Sequence, residues 1–238
     1  MPWRLKASPS REFFFAPDVS TITRRSARYA FDVVAAAIGL ILLSPLLALI
    51  ALAIKLDDGE SVFYSQARVG KDFRLFQLVK FRSMAPGADR SSLLTAPEDS
   101  RLTRVGRFLR RYKLDELPQL FNVMKGEMQL VGPRPEVERY VYLFRADYSI
   151  LLQEPPGITD PASISYRNEE RLFHEDQIEE QYVSQILPDK LRISLEYQKQ
   201  RNFFSDIRIV LETLFPSQTR CDVRNVHKED SSRSEIRD

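Results

Sequence analysis

Between Val33 and Ile54 the chain runs 22 residues without a charge, thirteen of them Val, Ile or Leu. At about 1.5 Å per residue, a helix over this run is roughly 33 Å long, enough to cross a bilayer core. At about −0.5 kcal/mol for each aliphatic residue, the run favours lipid over water. A buried helix in a soluble core is the alternative. Pro45 interrupts the run directly after Ser44. Its ring removes the bond to the Ile41 carbonyl and clashes with it, and the Ser44 hydroxyl is placed to satisfy the freed backbone. Each half is then about 16 Å long, too short to span alone. Within twenty residues, Arg24, Arg25 and Arg28 precede the run, and Lys55, Arg68, Lys71 and Arg74 follow it. Charge therefore selects no orientation, and placing both ends on the cytoplasmic side satisfies it best. The pattern predicts a re-entrant membrane helix over residues 24–56, broken at Ser44-Pro45, with a kinked span as the alternative.

After the apolar run the period changes. Val62–Tyr64 and Phe73–Phe81 are β-like and are joined by a turn at Gly70-Lys71-Asp72, which predicts a small hairpin. Lys80 and Arg82 share one face of the second strand, and a charge-guarded strand edge is their bland explanation. Residues 85–100, rich in Pro, Gly and Ser, are expected to form a mobile loop. Arg101, Arg104, Arg107 and Arg110 recur every third residue opposite Leu102, Val105, Phe108, Leu109 and Tyr112, the pattern of an amphipathic helix with a basic face. Leu114, Leu117, Leu120 and Phe121 recur at helical spacing. They place Asp115 at or near an N-cap, Glu116 next to it and Pro118 in the first turn. Helices are also predicted over residues 137–152, 169–187 and 202–215, the second with a solvated acidic face and the third able to lie on a membrane. The whole reads as an α+β fold, mainly helical with a small β-hairpin. A leader over residues 1–23, which carries Phe13–Phe15, and a disordered tail over 216–238 flank a catalytic unit at 57–215.

Composition narrows the chemistry. With 238 residues there is room for a real core, and the net charge of +2 points to no nucleic-acid partner. The single cysteine, Cys221, permits no disulfide framework within the chain. Only His174 and His227 supply imidazole, and there is no CxxC, so a metal here is a hard cation on carboxylates and phosphates.

The densest chemistry lies at residues 107–135. Asp115-Glu116 sits where a helix start favours carboxylates or a phosphate. The bland alternative is a helix cap. Arg134 lies between Pro133 and Pro135, both with fixed φ, and a rigid arginine suits bidentate phosphate binding. Asp115 is expected to be ionised at neutral pH and able to act as a nucleophile on a phosphoryl group. A diphosphate repels it by about 4 kcal/mol per unit-charge pair at 4 Å in a partly screened site. Lys80, Arg110, Arg134 and Arg167 supply the countercharge, and Mg2+ on Asp115 and Glu116 would bridge carboxylate and diphosphate. Together with a membrane helix, this indicates phosphoryl transfer onto a lipid.

Lys80–Met84 (KFRSM), Thr103–Pro135 and Pro156–Thr159 (PGIT) resemble the bacterial sugar transferase family, the monotopic phosphoglycosyl transferases, over roughly residues 24–215. The resemblance implies a re-entrant helix broken at Ser44-Pro45. It also implies transfer of a sugar 1-phosphate from a UDP-sugar to undecaprenyl phosphate with Mg2+, releasing UMP, at the cytoplasmic face of the bacterial inner membrane among its lipids. Exopolysaccharide, O-antigen or glycan assembly would start there. It gives Asp115 the role of nucleophile forming an aspartyl-phosphosugar and Glu116 that of orienting it and helping with the metal. Lys80, Arg110 and Arg134 become phosphate ligands, and Arg167 a further phosphate or sugar contact. Where many members read TGxxQV, this chain has Thr159-Asp160-Pro161-Ala162-Ser163-Ile164. Two alternatives are a non-catalytic adaptor binding anionic lipid and a lipid diphosphate phosphatase using water. A homodimer is left open.

Overall fold

The structure is a computed structural model that describes residues 19–85, 87–88, 99–172 and 178–215. The expectations for the leader with Phe13–Phe15, for most of the loop at 85–100, for His174 and for the tail with Cys221 fall outside the described residues.

Helix α1 (Val19–Asp58) carries the apolar run. It stays helical across Pro45, and the Ser44 hydroxyl donates to the Ile41 carbonyl at 2.8 Å. This is the carbonyl that Pro45 cannot serve. Among the described residues, Ala27–Asp58 is the one stretch long and apolar enough to cross a membrane, and only 11 % of its most apolar window is buried. A soluble core helix would be covered by protein. Here Ile41, Leu42, Leu49, Leu52 and Leu56 stay open, and lipid is their natural solvent.

Both halves of α1 nonetheless touch the same folded body. Before Pro45, Ala36 is fully buried against Phe76, Leu78, Val123 and Met128, and Phe31 meets Phe203 edge to face at 5.2 Å. After it, Ile50 and Ile54 pack on Phe81 and Leu109, and Asp58 pairs with Arg82.

Strands β1 (Phe63–Val69) and β2 (Leu75–Phe81) form the predicted antiparallel hairpin, with Tyr64 opposite Lys80. Its turn holds Asp72 and Phe73 at positive φ. Helix α2 (Arg104–Arg111) is capped by Thr103, whose side chain accepts from Gly106 N. Arg101 lies outside it, bound to Asp99, so the basic repeat is only partly helical. On its apolar side Leu109 is buried, but Phe108 and Tyr112 are 57 % and 53 % exposed, which makes them surface rather than core. A 3-10 turn over Leu114–Glu116 leads into α3 (Gln119–Met124).

The predicted helix at 137–152 is two short ones, α4 (Glu138–Leu143) and α5 (Arg145–Leu151), broken at Phe144. Two three-residue strands had no period to betray them. These are β3 (Gln129–Val131) and β4 (Gly157–Thr159), which pair in parallel. Helix α6 (Pro161–Ser165) follows, capped by Asp160.

The acidic stretch is a run of shorter elements, with Glu179 and Glu180 exposed as a solvated acidic face predicts. A 3-10 turn at Glu169–Leu172, α7 (Ile178–Gln181) and a π-turn at Tyr182–Ile186 feed α8 (Leu187–Gln200), and Tyr182, Ile186 and Leu187 are buried. They join Tyr140, Val141 and Tyr148 in the main core. Apolar residues on one side of that stretch outweigh its acids once α4 and α5 cover them. Helix α9 (Phe203–Leu214) starts on an Asn202–Ser205 capping box, much as predicted.

Candidate active site

The site is built on a left-handed residue. Lys113, at φ 57°, reverses the chain after α2 and opens the 3-10 turn. Pro118 has no N–H to return to the Leu114 carbonyl, so Leu117 N takes it at 3.3 Å. The chain therefore winds i→i+3 before it becomes α-helical. This moves the helix start: α3 begins at Gln119 with Pro118 as its cap, and neither the turn nor α3 has a side-chain cap. The expected place of Asp115 at an N-cap and of Pro118 inside the first turn is corrected accordingly. Asp115 is instead buried, 4 % exposed, with Oδ1 lacking any hydrogen-bond partner. A buried carboxylate oxygen left open is costly, and a capping role does not account for it.

Its neighbour is fully engaged. Glu116 Oε1 accepts from Lys80 Nζ at 2.9 Å and from Arg134 Nη2 at 2.5 Å, while Oε2 accepts from Arg134 Nη1 at 3.3 Å. Lys80 arrives on β2, so the charge-guarded edge does not describe it. Arg134 arrives on the Gly132–Pro135 turn between β3 and α4. That turn is pinned by Gly132 N to Thr159 O and Gly157 N to Pro133 O, both 2.9 Å, and by Arg68 Nη1 to Pro135 O at 3.2 Å. A Cβ on Gly157 would lie 2.1 Å from Gly132 N, so only glycine lets the two segments approach. Arg110 reaches in from α2, donating through Nε to Ser83 Oγ at 3.1 Å. Gly106 sits so close to Ser83 that a Cβ would meet its carbonyl oxygen at 1.9 Å.

The fold thus brings Asp115, Glu116, Lys80 and Arg134 together, with Arg110 close enough for its charge to act on Asp115. Arg167 stands apart: Nη1 donates to the Thr213 carbonyl of α9 at 3.2 Å, and it has no hydrogen bond to those residues. Ser44 and Pro45 lie in α1, where the Ser44 hydroxyl serves the Ile41 carbonyl. The sequence did not single out Glu169 or Lys190, paired at 2.8 Å. Burial raises the Glu169 carboxyl, but Lys190, Arg134 and Lys113 hold it below the usual range, and its charge adds to that of Glu116 in raising the Arg134 guanidinium. Only their convergence in space marks them.

A family model described as "Bacterial sugar transferase" matches residues 23–219. The chain belongs to the bacterial sugar transferase family. It is 34 % identical over 220 residues to the exopolysaccharide production protein ExoY of Rhizobium meliloti, covering 84 % of this chain and 91 % of that one. Against an undecaprenyl-phosphate glucose phosphotransferase of Komagataeibacter xylinus it is 38 % identical over 195 residues, 78 % of this chain but 34 % of that one. A putative undecaprenyl-phosphate N-acetylgalactosaminyl 1-phosphate transferase of Bacillus subtilis is 40 % identical over 157 residues, 63 % and 84 % of the two chains. This sugar transferase is an enzyme of the phosphoglycosyl transferase kind, and the adaptor alternative falls.

The electrostatics of the transferase site separate its two carboxylates. Burial pushes the Asp115 carboxyl up, and the Glu116 charge pushes it further, against Lys80, Arg110 and Lys113. Burial also raises Glu116, but Arg134 and Lys80 overcome it and hold Glu116 well below the usual range. Burial lowers the Lys80 ammonium despite Glu116 beside it. Glu116 is thus a fixed anion in a cationic clamp. Asp115 is a desolvated, more basic carboxyl with a free oxygen.

Proposed function

We propose that the chain transfers a sugar 1-phosphate from a UDP-sugar to undecaprenyl phosphate at the cytoplasmic face of the bacterial inner membrane, starting glycan assembly. The observation that carries the mechanism is the buried, unpartnered Oδ1 of Asp115 beside a clamped Glu116. Asp115 attacks the sugar-linked phosphorus. The P–O bond to the nucleotide phosphate breaks, UMP leaves, and an aspartyl-phosphosugar remains. An oxygen of the lipid phosphate then attacks the same phosphorus, the bond to Asp115 breaks, and the carboxylate returns with a polyprenyl diphosphate sugar as product. Desolvation favours the first step by making the carboxylate more basic. Lys80, Arg134, Arg110 and Lys113 face two carboxylates with four cations, an excess suited to a diphosphate. Arg167 is kept as a candidate contact to the donor beyond the phosphates.

Mg2+ fits this donor set. It needs only one or two carboxylates when substrate phosphates supply the rest, and the described residues contain no cluster of three or more His, Cys, Asp or Glu. Asp115 has an oxygen to spare, whereas both oxygens of Glu116 are engaged. When bound, the ion would neutralise charge on the diphosphate. The names of the relatives from K. xylinus and B. subtilis support the lipid acceptor. The packing of both halves of α1 on one body supports entry and exit by one membrane face.

The test is UMP release from a panel of UDP-sugars with undecaprenyl phosphate and Mg2+, with wild type beside Asp115→Asn. One or two sugars should yield UMP, and the variant should lose at least about a thousandfold. Phosphate release that needs no lipid phosphate would turn the assignment to a phosphatase.

A further inference from the structure

The hairpin that delivers Lys80 has a bare side. Strand β2 pairs with β1 on one edge only, so backbone groups on its other edge need partners. One side chain supplies them. Asn122 of α3 is completely buried. Its Oδ1 accepts from Val79 N at 3.1 Å, and its Nδ2 donates to Gln77 O at 2.7 Å. These two groups flank Leu78 and point the same way, so the carboxamide takes the place that one residue of a third strand would occupy. Its remaining amide hydrogen goes to Glu127 Oε2 at 2.7 Å. The orientation of the amide is forced, because Gln77 O and the Glu127 carboxylate can only accept.

The position of this contact matters. Val79 directly precedes Lys80. Asn122 follows Glu116 by six residues, along a turn and helix with no break between them. The amide therefore fixes β2, which carries the cation, to α3, which continues from the turn that carries the anion and makes the 2.9 Å contact. Lys80 is long and flexible, so its reach is set by where its backbone stands.

We infer that Asn122 is a positioning residue of the transferase, acting through Lys80 to hold it on Glu116 and on the phosphates of the donor. The rate effect rests on the proposed function, but the placement of Lys80 does not, so the test reads both. The full chain in membranes is compared as wild type, Asn122→Ala, Lys80→Ala, Glu116→Gln and the double variant Asn122→Ala/Lys80→Ala. The first readout is amine labelling by mass spectrometry, Lys80 against Lys199 as internal reference. Asn122→Ala should raise relative labelling of Lys80 by about threefold or more, as should Glu116→Gln, because a freed amine is open to reagent. The second is UMP release under steady turnover with the lipid phosphate present. Asn122→Ala should lower kcat by about tenfold or more and change the donor KM less than about threefold. The double variant should be no slower than Lys80→Ala, since residues acting through one contact are not additive.

Unchanged Lys80 labelling, or losses that multiply in the double variant, would overturn the inference. If Asn122→Ala does not fold, Asn122→Asp combined with Glu127→Gln replaces it. That pair keeps the acceptor for Val79 and the link to position 127 and replaces the bond to Gln77 by two facing acceptor oxygens. It should shift labelling in the same direction by a smaller factor, and no shift overturns the inference. Absence of UMP from wild type would sink the functional proposal and leave the labelling to decide this one.

Discussion

Asp115 and Glu116 are adjacent carboxylates with opposite fates, and the difference lies in what each touches. Glu116 meets two cations directly, while Asp115 meets none and is buried. Activity that depends on ionised Asp115 is lost as pH falls through its raised pKa, so the acid limb of the pH–rate profile should lie above the ordinary aspartate range. The neighbours set its position. Lys80 lowers the Asp115 pKa and Glu116 raises it. Lys80→Ala should therefore move the limb to higher pH and Glu116→Gln to lower pH, whatever each does to the maximal rate. Profiles of kcat/KM for UMP release would check this, and a shift of both variants in the same direction would contradict it. The residue types of the site were legible in the sequence. The burial of Asp115 was not, because it depends on neighbours distant in sequence.

Among the elements, the Gly132–Pro135 turn is held by its approach to β4 rather than by its own prolines alone. Gly157→Ala would force a Cβ into Gly132 N. Overpacking of this kind typically costs about 1–3 kcal/mol, and here relief requires moving the turn that carries Arg134. The expected outcome is a kcat for UMP release at least about tenfold lower, well beyond the accompanying fall in melting temperature. A variant with lowered melting temperature but wild-type kcat would show that Arg134 is positioned independently of β4. The hairpin and α9 could be foreseen, since the β-like runs about the Gly70-Lys71-Asp72 turn and the one-sided spacing of Ile207, Val210, Leu211 and Leu214 are local signals. The β3–β4 pair could not: each strand is three residues long and each finds its partner only through the fold. The same holds for the acidic stretch at 169–187, where the charge count outweighed Tyr182 and Ile186 until α4 and α5 covered them.

At the scale of the whole molecule, the anchor and the catalytic body are one packed unit. Arg201, 7 % exposed on its side chain, ties Asp206 of α9, Glu154 and the Val131 carbonyl of β3, and its own carbonyl accepts from Arg28 of α1. If α1 enters and leaves by one face, cysteines at Ala27 and Ser61, in a chain carrying Cys221→Ser, should react with a membrane-impermeant thiol reagent from the same side of sealed vesicles. Labelling from opposite sides would establish a span. Replacing Pro45 with Leu tests the cause: if the proline sets the geometry, the two positions should no longer label alike.

By itself, the sequence determined what is written locally. It specified an apolar run with a proline inside it and a serine partner for the freed carbonyl, a hairpin, the neighbouring Asp and Glu, and an arginine between prolines, because periodicity, ring constraints and residue chemistry act over a few neighbours. Tertiary structure decided what these became. It brought Lys80 and Arg134 onto one carboxylate and left the adjacent one dry and open. It also turned Tyr182 inward and Phe108 outward, and gave Asn122 to the bare edge of β2. Those outcomes depend on desolvation and on contacts between residues far apart in sequence, which no local pattern encodes.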